Sequence, residues 1–167
     1  NNNFIDKSME QLNRIVSEMQ IKNEELKNFI KPNEVKKEFF LDEIVMEALE
    51  MLEDTFMNHN IKIDYNFSKS INLYGFPNEI NQVIFSILLN AKEALVEKNI
   101  DSKKVFISIK KDKDFAYVNI VDNAGGVPLS LLGNIFEPYF TTKKYKKSSG
   151  LGLFLSKIII EENMQGK

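Results

Sequence analysis

The sequence predicts an α+β fold in which a β-sheet is covered by helices and one long α-helix precedes it. Two observations lead to this prediction. Between positions 42 and 122, segments with apolar residues three and four positions apart alternate with short segments that alternate between apolar and polar. Such alternation is typical of helices and strands layered around one core. The leading segment is different, because positions 4–30 contain neither glycine nor proline.

The composition excludes several classes of protein. The 167 residues carry a formal net charge of −2, so no strong field favours nucleic acid or an anionic membrane surface. Cysteine is absent, which excludes disulfide bonds and thiolate metal sites. No apolar run approaches the ~20 residues that span a bilayer. We therefore expect a cytoplasmic fragment of a longer protein, with no nucleic-acid or membrane contact. An inner-membrane sensor stays open for the full-length protein.

Residues 4–30 predict a long amphipathic helix. Their apolar side chains are spaced by three, four and seven residues, so they form one stripe. A narrow stripe on a long helix needs a partner helix, although packing on the globular domain is the alternative. Pro32 ends this helix, and the charged residues after it predict a linker over 32–38. The stripe consists of Phe4, Ile5, Met9, Leu12, Val16, Met19, Leu26 and Phe29.

The remaining elements follow from the same two periodicities. Asp42 is the expected N-cap of the next helix. Pro77 stands where proline favours the start of another helix. The last helix is expected to begin near Gly150. The predicted segments are helices over 42–58, 78–97 and from 150 onward, and strands over 61–65, 71–74, 104–111 and 115–122.

Asn90 lies on a polar stripe of the helix predicted over 78–97. With about 100° between successive residues, the same stripe contains Ser86 and Glu93 beside the apolar face. An amide oxygen at the edge of a core can bind a hard cation, and Mg²⁺ prefers oxygen ligands that it shares with phosphates. A solvent-facing asparagine is the alternative.

The stretch VDNAGGVP (121–128) ends the last predicted strand. Because side chains alternate along a strand, Asp122 continues the apolar row of Ala116, Val118 and Ile120. A carboxylate at such a buried position needs a partner, and the exocyclic amine of adenine is a suitable donor. The alternative is an aspartate that caps the turn.

The stretch IFEPYFTTKKYKK (135–147) combines aromatic residues with lysines. We expect Phe136, Tyr139 and Phe140 to anchor the segment to the domain. Its lysines form a cationic loop that can attract phosphates, although a merely soluble loop is the alternative. These lysines are Lys143, Lys144, Lys146 and Lys147.

The stretch SSGLGLFLSK (148–157) places two glycines at the start of a helix. Gly150 and Gly152 leave backbone N–H groups open to approach, and the helix dipole favours an anion there. The lysine of a P-loop is missing, and no strand leads directly into this segment, as a dinucleotide fingerprint requires. Together, the four stretches predict one nucleotide site with a cation ligand, an adenine acceptor and two phosphate-binding segments.

The four stretches resemble the ATP-binding domain of sensor histidine kinases, which have the Bergerat nucleotide fold. NEINQVIFSILLNAKEAL (78–95) is similar to the N box, VDNAGGVP and SSGLGLFLSK to the two glycine boxes, and FEPYFTTK to the F box. The resemblance implies a Bergerat-type sandwich of a mixed sheet covered by helices. It also divides the chain into the second helix of a dimerisation hairpin over 1–31, a linker over 32–38, and an ATP-binding catalytic domain over 39–167, truncated at its C-terminal end.

The resemblance implies roles for individual residues. Asn90 would coordinate magnesium, and Asp122 would accept the adenine amino group. Gly126 would support the pocket, and Lys143 in the lid would contact a phosphate. The residues implied to contact the phosphates at the helix start are Gly150, Leu151 and Gly152.

The resemblance also implies a reaction and partners. The γ-phosphoryl group of ATP would pass to a histidine outside this fragment and then to an aspartate of a response-regulator receiver domain. The full-length protein would be a homodimer, with ATP and Mg²⁺ as its cofactors. His59 is the only histidine in the chain, and its surroundings match no phosphoacceptor, so we expect it to have a structural or surface role.

Three departures from the family pattern leave alternatives open. Ser86 replaces the first of two asparagines, Glu93 stands where lysine is common, and Ala124 stands where glycine is usual. A Bergerat-fold ATPase is the first alternative, but it needs a carboxylate base one turn before Asn90, and serine cannot serve as one. A non-enzymatic dimerisation module with a degenerate nucleotide site is the second.

Overall fold

The structure is a computed structural model that describes residues 35–67, 69–98, 100–142 and 149–167. The leading helix predicted over 1–31 lies outside the described residues. Lys143 and the first three residues of the predicted linker lie outside them as well. The domain that follows contains the remaining predicted site residues.

The described elements alternate between strands and helices, which confirms the α+β class. Each helix and strand predicted from residue 42 onward is present, with bounds that differ from the prediction by at most two residues. In order they are β1 (Lys37–Phe40), α1 (Leu41–Asn58), β2 (Ile61–Phe67), β3 (Asn72–Gly75), α2 (Pro77–Lys98), β4 (Lys103–Lys111), β5 (Ala116–Asp122), a 3₁₀ turn (Leu129–Leu131), α3 (Gly152–Ile158) and a π-helical turn (Ile159–Asn163).

The strands form two sheets within the described residues, where the sequence predicted one. β1 pairs antiparallel with β3, while β2 pairs parallel with β4, and β4 pairs antiparallel with β5. β2 and β3 are adjacent in sequence but are not paired. β2 instead pairs parallel with β4, and a parallel pair needs a long crossover connection. This crossover passes through β3 and α2, which brings α2 against the sheet.

Strand β1 corrects the predicted linker. Lys37 and Glu38 belong to β1 instead, where they pair with Gly75 and Tyr74 of β3. The charged side chains of both residues are exposed, so composition alone predicted a linker.

One hydrophobic core lies between the helices and the inner face of the three-stranded sheet. α1 and α2 pack against each other, and both contact the sheet. Burying a side chain such as valine, leucine or isoleucine contributes about 1.5–3 kcal/mol to the free energy of unfolding, relative to leaving it exposed. This packing fixes α2, which carries Asn90, and β5, which ends at Asp122. The side chains with no or almost no exposed surface are Val45, Phe56, Leu88, Leu95, Val105, Ile107 and Ile109.

Asp42 is not the N-cap of α1, which corrects the prediction. The helix begins at Leu41 with Phe40 at the N-cap position, and no side chain caps it. The Asp42 carboxylate instead accepts hydrogen bonds from the Ser70 hydroxyl at 2.8 Å and from the Ile71 N–H at 3.3 Å. The aspartate thus joins the first turn of α1 to the segment that precedes β3.

His59 follows the last residue of α1 and has a structural contact there. Its Nδ1 lies 2.8 Å from the Thr55 carbonyl oxygen. A carbonyl oxygen can only accept, so Nδ1 donates and carries the proton. This contact confirms the structural role expected for His59. Among the described helices, none is both long and apolar enough to cross a bilayer.

Candidate functional site

Asp122 is the last residue of β5 and is half-buried, at the end of the row that faces the core. Its Oδ1 accepts the backbone N–H of Ala124 at 2.8 Å. Within the described part of the chain, its other oxygen accepts no hydrogen bond. The turn-capping alternative is therefore correct for one oxygen, and the second oxygen stays available to a donor from outside the domain.

Asn123 and Ala124 hold the turn after Asp122 in place. The Asn123 side chain accepts the Lys104 N–H at 2.8 Å and donates to the Ser102 carbonyl at 2.7 Å, at the start of β4. Ala124 is buried in the hydrophobic core and does not adopt a positive φ. The methyl group at a position where the family usually has glycine is therefore accommodated by the core.

Gly125 and Gly126 have left-handed backbone conformations, with φ of +89° and +73°. In the part of the chain that the structure describes, a Cβ atom added at either position would meet no heavy atom within 4 Å. Conformation, and not crowding, accounts for both glycines, because L-residues rarely adopt this φ. Both glycines thus border open space in the turn that follows Asp122.

Asn90 is half-buried on α2, one helical turn after Ser86. Its side-chain amide makes no hydrogen bond to another described residue, so its oxygen can act as a ligand. α2 contacts both β5 and α3, the elements that carry Asp122 and Gly152. No group of three or more His, Asp or Glu side chains that could hold a metal occurs in the described part of the chain. A cation beside Asn90 could take its remaining ligands from phosphates and water, which Mg²⁺ commonly does.

Gly150 is required by both conformation and crowding. Its φ is +67°, and an added Cβ would lie 2.5 Å from the Tyr139 carbonyl carbon and 2.8 Å from the Phe140 oxygen. Backbone atoms cannot move aside as a flexible side chain can. The backbone of the F-box stretch therefore packs directly on the residue that leads into α3.

Gly152 is the first residue of α3, and its closest neighbour is on α2. An added Cβ would lie 2.7 Å from the Ser86 Oγ, and no other heavy atom of the described residues outside its own helix and chain neighbours lies within 4 Å. The sequence suggested phosphate binding as the reason for Gly150 and Gly152, and it missed these packing reasons. Leu151 lies between them, half-buried, with its N–H 3.4 Å from the Ser149 hydroxyl.

The aromatic residues of the F-box stretch are less buried than predicted. Phe136 is 42% exposed and Tyr139 is 45% exposed, so neither is an anchor, while Phe140 is half-buried. The Lys157 ammonium of α3 lies 5.7 Å from the centre of the Phe136 ring. Tyr139 has a φ of +65°. This conformation is unusual outside Gly, Asn and Asp, so no sequence signal predicted it.

The turn at the other end of β5 contains a second aspartate, Asp112, whose pKa is perturbed. The Tyr117 hydroxyl and the backbone N–H groups of Phe115 and Asp114 donate to Asp112, and these bonds lower the pKa of its carboxyl group. The same hydrogen bond raises the pKa of the Tyr117 hydroxyl. Both groups are fully exposed, which makes this turn a reference for Asp122.

Comparisons with known proteins identify a family. Residues 75–167 match the family of histidine kinase-, DNA gyrase B- and HSP90-like ATPases. Sporulation kinase A of Bacillus subtilis is 32% identical over 169 residues, which cover 99% of this chain and 26% of that protein. The two-component sensor PprA of Pseudomonas aeruginosa is 32% identical over 123 residues, covering 71% of this chain and 13% of that protein. The chain thus spans about a quarter or less of the length of these relatives.

Solved structures have the same fold. The nucleotide-free catalytic domain of the histidine kinase ThkA matches with a TM-score of 0.68 and 25% identity, over 78% of this chain and 82% of that domain. ThkA in complex with the response regulator TrrA matches with a TM-score of 0.66 and 23% identity, over 90% of this chain and 43% of the ThkA chain, which shows the fold alone. The chain therefore belongs to the histidine kinase-, DNA gyrase B- and HSP90-like ATPase family, and residues 75–167 are an ATP-binding catalytic domain of the sensor histidine kinase type.

Proposed function

We propose that this chain supplies the ATP-binding catalytic part of a two-component sensor histidine kinase. In the intact protein, the γ-phosphoryl group of ATP passes to a histidine outside this fragment and then to an aspartate of a response-regulator receiver domain. The names of two relatives, a sporulation kinase and a two-component sensor, support this assignment. The complex of ThkA with a response regulator supports the partner.

The observation that carries the proposal is that only one carboxylate oxygen of Asp122 accepts a hydrogen bond from the described residues. One oxygen is held by the Ala124 N–H, which fixes the orientation of the carboxylate. The other oxygen accepts no hydrogen bond among the described residues, so it can accept the exocyclic amine of adenine. A hydrogen bond to a charged acceptor contributes about 1.5–3 kcal/mol, so this contact alone can select adenine over a base without that donor.

The phosphate end of the nucleotide lies, in this proposal, between α2 and the start of α3. The backbone N–H groups of Gly150, Leu151 and Gly152 precede or open α3, where the first N–H groups of a helix have no intrahelical acceptor. Lys143 contributes a positive charge from the lid. Phosphoryl transfer depends chiefly on positioning and charge neutralisation, and these groups perform both.

Asn90 is the proposed protein ligand for magnesium. Its amide oxygen is half-buried and unbonded among the described residues, and a single protein ligand is typical when Mg²⁺ keeps waters and binds phosphates. When bound, magnesium neutralises phosphate charge and orients the triphosphate.

Two further parts of the proposal concern the intact protein. Residues 1–31 contribute one helix of a dimerisation hairpin, so the intact kinase is a homodimer. The described domain works in the cytoplasm, and an inner-membrane location stays a prediction for the full-length sensor only.

Hydrolysis by a Bergerat-fold ATPase is the competing function. It requires a carboxylate base one turn before Asn90, where this chain has Ser86. The Ser86 hydroxyl faces Gly152 at the α2–α3 contact, which further argues against a base at this position. Measuring phosphate release from ATP by the 167-residue chain separates the two functions, since the kinase proposal predicts negligible turnover to free phosphate.

The experiment that tests nucleotide binding is calorimetric titration with ADP, with and without magnesium. The wild type and Asn90→Ala are compared, with Gln82→Ala as the control, because Gln82 is exposed two turns before Asn90 on the same helix. We expect magnesium to strengthen ADP binding in the wild type and in Gln82→Ala, but not in Asn90→Ala. Absence of ADP binding to the wild type would contradict the proposal and favour the degenerate module.

A further inference from the structure

Two small residues meet closely where α3 packs on α2. Gly152 opens α3, and its Cα faces Ser86 so closely that an added Cβ would lie 2.7 Å from the Ser86 Oγ. Ser86 and Asn90 are four residues apart on α2, so their side chains lie on the same side of the helix, one turn apart. The point where α3 touches α2 is therefore one turn from the proposed magnesium ligand.

The backbone of Gly152 is also held from within α3. Ser156 is buried, and its hydroxyl donates to the Gly152 carbonyl oxygen at 2.8 Å. The Leu155 N–H donates to the Leu151 carbonyl at 2.9 Å, which closes the first turn. These hydrogen bonds hold the Gly152 backbone within the first turn of α3, on the side that meets Ser86 of α2.

We propose that Ser86 is a positioning residue for the magnesium–phosphate end of the nucleotide site. Its hydroxyl, packed against Gly152, sets the distance between Asn90 and the start of α3. A cation held by Asn90 can then reach phosphates that are bound at Gly150, Leu151 and Gly152. The inference rests on the proposed function, and it adds a role for the serine that replaces the usual first asparagine of the N box.

The contact allows a test by complementary substitution. Gly152→Ala adds a methyl group that meets, among the described residues, the Ser86 hydroxyl, so either the Ser86 side chain rotates or α3 moves away from α2. Ser86→Ala removes that hydroxyl and leaves room for the methyl. The double variant therefore keeps the methyl group at position 152 but relieves the clash. It separates displacement of α3 from direct obstruction of the phosphates by the methyl group.

The measurement is ADP affinity with magnesium and with a chelator, on the wild type, both single variants and the double variant. Gly133→Ala is the matched control, because an added Cβ there meets no atom within 4 Å and its φ is not positive. We expect Gly152→Ala to weaken magnesium–ADP binding by about tenfold or more, within the range of coupling between contacting residues. We expect the double variant to regain most of this loss.

A purely structural contact predicts a different pattern. If Ser86 only holds the helices together, the variants that stay folded lose affinity equally with magnesium and with the chelator. If Ser86 positions the phosphate end, Gly152→Ala loses mainly the increase in ADP affinity that magnesium provides, and its affinity with the chelator changes little. Thermal unfolding without nucleotide verifies that each variant is folded during the titration.

The outcomes distinguish this inference from the proposed function. Two results would overturn the role of Ser86 while leaving the nucleotide site intact. In the first, Gly152→Ala binds magnesium–ADP as tightly as the wild type does. In the second, the double variant binds magnesium–ADP as weakly as Gly152→Ala does. A wild type that binds no ADP overturns both. If Gly152→Ala fails to fold, the double variant decides: folding and magnesium-dependent binding support the inference, and failure to fold overturns it.

Discussion

The two ends of β5 each carry an aspartate in a turn, and the two carboxylates are used differently. Before the strand, Asp112 Oδ1 accepts the N–H groups of Asp114 and Phe115, each at 2.8 Å, and Oδ2 accepts the Tyr117 hydroxyl at 2.7 Å. After the strand, Asp122 accepts only the Ala124 N–H among the described residues. One carboxylate is engaged at both oxygens, and the other at one.

The surroundings of the two aspartates, and not the residue type, distinguish the proposed binding residue from the structural one. Both residues cap turns, so the residue type and the turn do not distinguish them. The first turn contains no glycine and its carboxylate is fully exposed. The second has two left-handed glycines and a half-buried carboxylate. An unused acceptor beside open space, and not the aspartate itself, indicates the ligand site.

The largest expected effect concerns Gly150, which lies just before α3 and packs against the F-box backbone. Gly150→Ala places a methyl group against the Tyr139 and Phe140 backbone and forces an L-residue into a left-handed conformation. We expect a loss of about 2–5 kcal/mol in the free energy of unfolding, from strain and overpacking together. Urea denaturation measures it, with Gly133→Ala as a control that changes little. Equal stability of the two variants would refute the close packing at Gly150.

Gly126→Ala is expected to have a smaller effect. No atom crowds the position, so only the positive φ is costly, at about 1–2 kcal/mol in the free energy of unfolding. Gly126→Asn should be less destabilising than Gly126→Ala, because asparagine tolerates the left-handed region better. Urea denaturation of both variants provides the check. Asparagine proving worse than alanine would mean that crowding, not conformation, requires glycine here.

Asp122→Ala removes the turn cap and the free acceptor together. The lost hydrogen bond from the Ala124 N–H should lower the free energy of unfolding by about 1 kcal/mol. ADP binding should be lost as well. Asp101→Ala serves as the control, since Asp101 is an exposed carboxylate just before β4. A stability equal to that of the wild type would show that the cap is dispensable.

The smallest effect concerns the turn at Asp112, whose two carboxylate oxygens both accept hydrogen bonds. Tyr117→Phe removes the largest cause of the lowered pKa at Asp112, so the Asp112 pKa should rise toward its usual range. Because the folded-state pKa is lowered, the hydrogen bond stabilises the domain above the unfolded-state pKa. This stabilisation is lost as the pH falls through the folded-state pKa. An NMR titration of the Asp112 carboxyl group measures the shift, and ADP affinity should not change.

Local patterns predicted much of the scaffold that carries the site. Alternation along β5 placed Asp122 on the row that faces the core, and the structure agrees. Helical periodicity predicted α2 over 78–97, against Pro77–Lys98 in the structure, with Asn90 at the edge of its apolar face. These features depend on residues close in sequence, so a single sequence contains the information.

Contacts between distant segments were not predictable in the same way. Asp42 bonds to Ser70 instead of capping its own helix, and Gly152 faces Ser86 on another helix. The glycines could be recognised as unusual, but their neighbours follow only from the packing of α3 on α2. For the same reason the exposure of Phe136 was missed, since an aromatic residue is predicted as buried unless its surroundings are known.

The most direct test of the account is calorimetric titration of magnesium–ADP into the wild type, Asp122→Asn and Asp112→Asn. Asparagine at position 122 keeps an oxygen for the Ala124 N–H and replaces the free acceptor with a donor. The account predicts affinity about 10- to 100-fold weaker for Asp122→Asn, with unchanged thermal stability, and wild-type affinity for Asp112→Asn. Wild-type affinity in Asp122→Asn would contradict it.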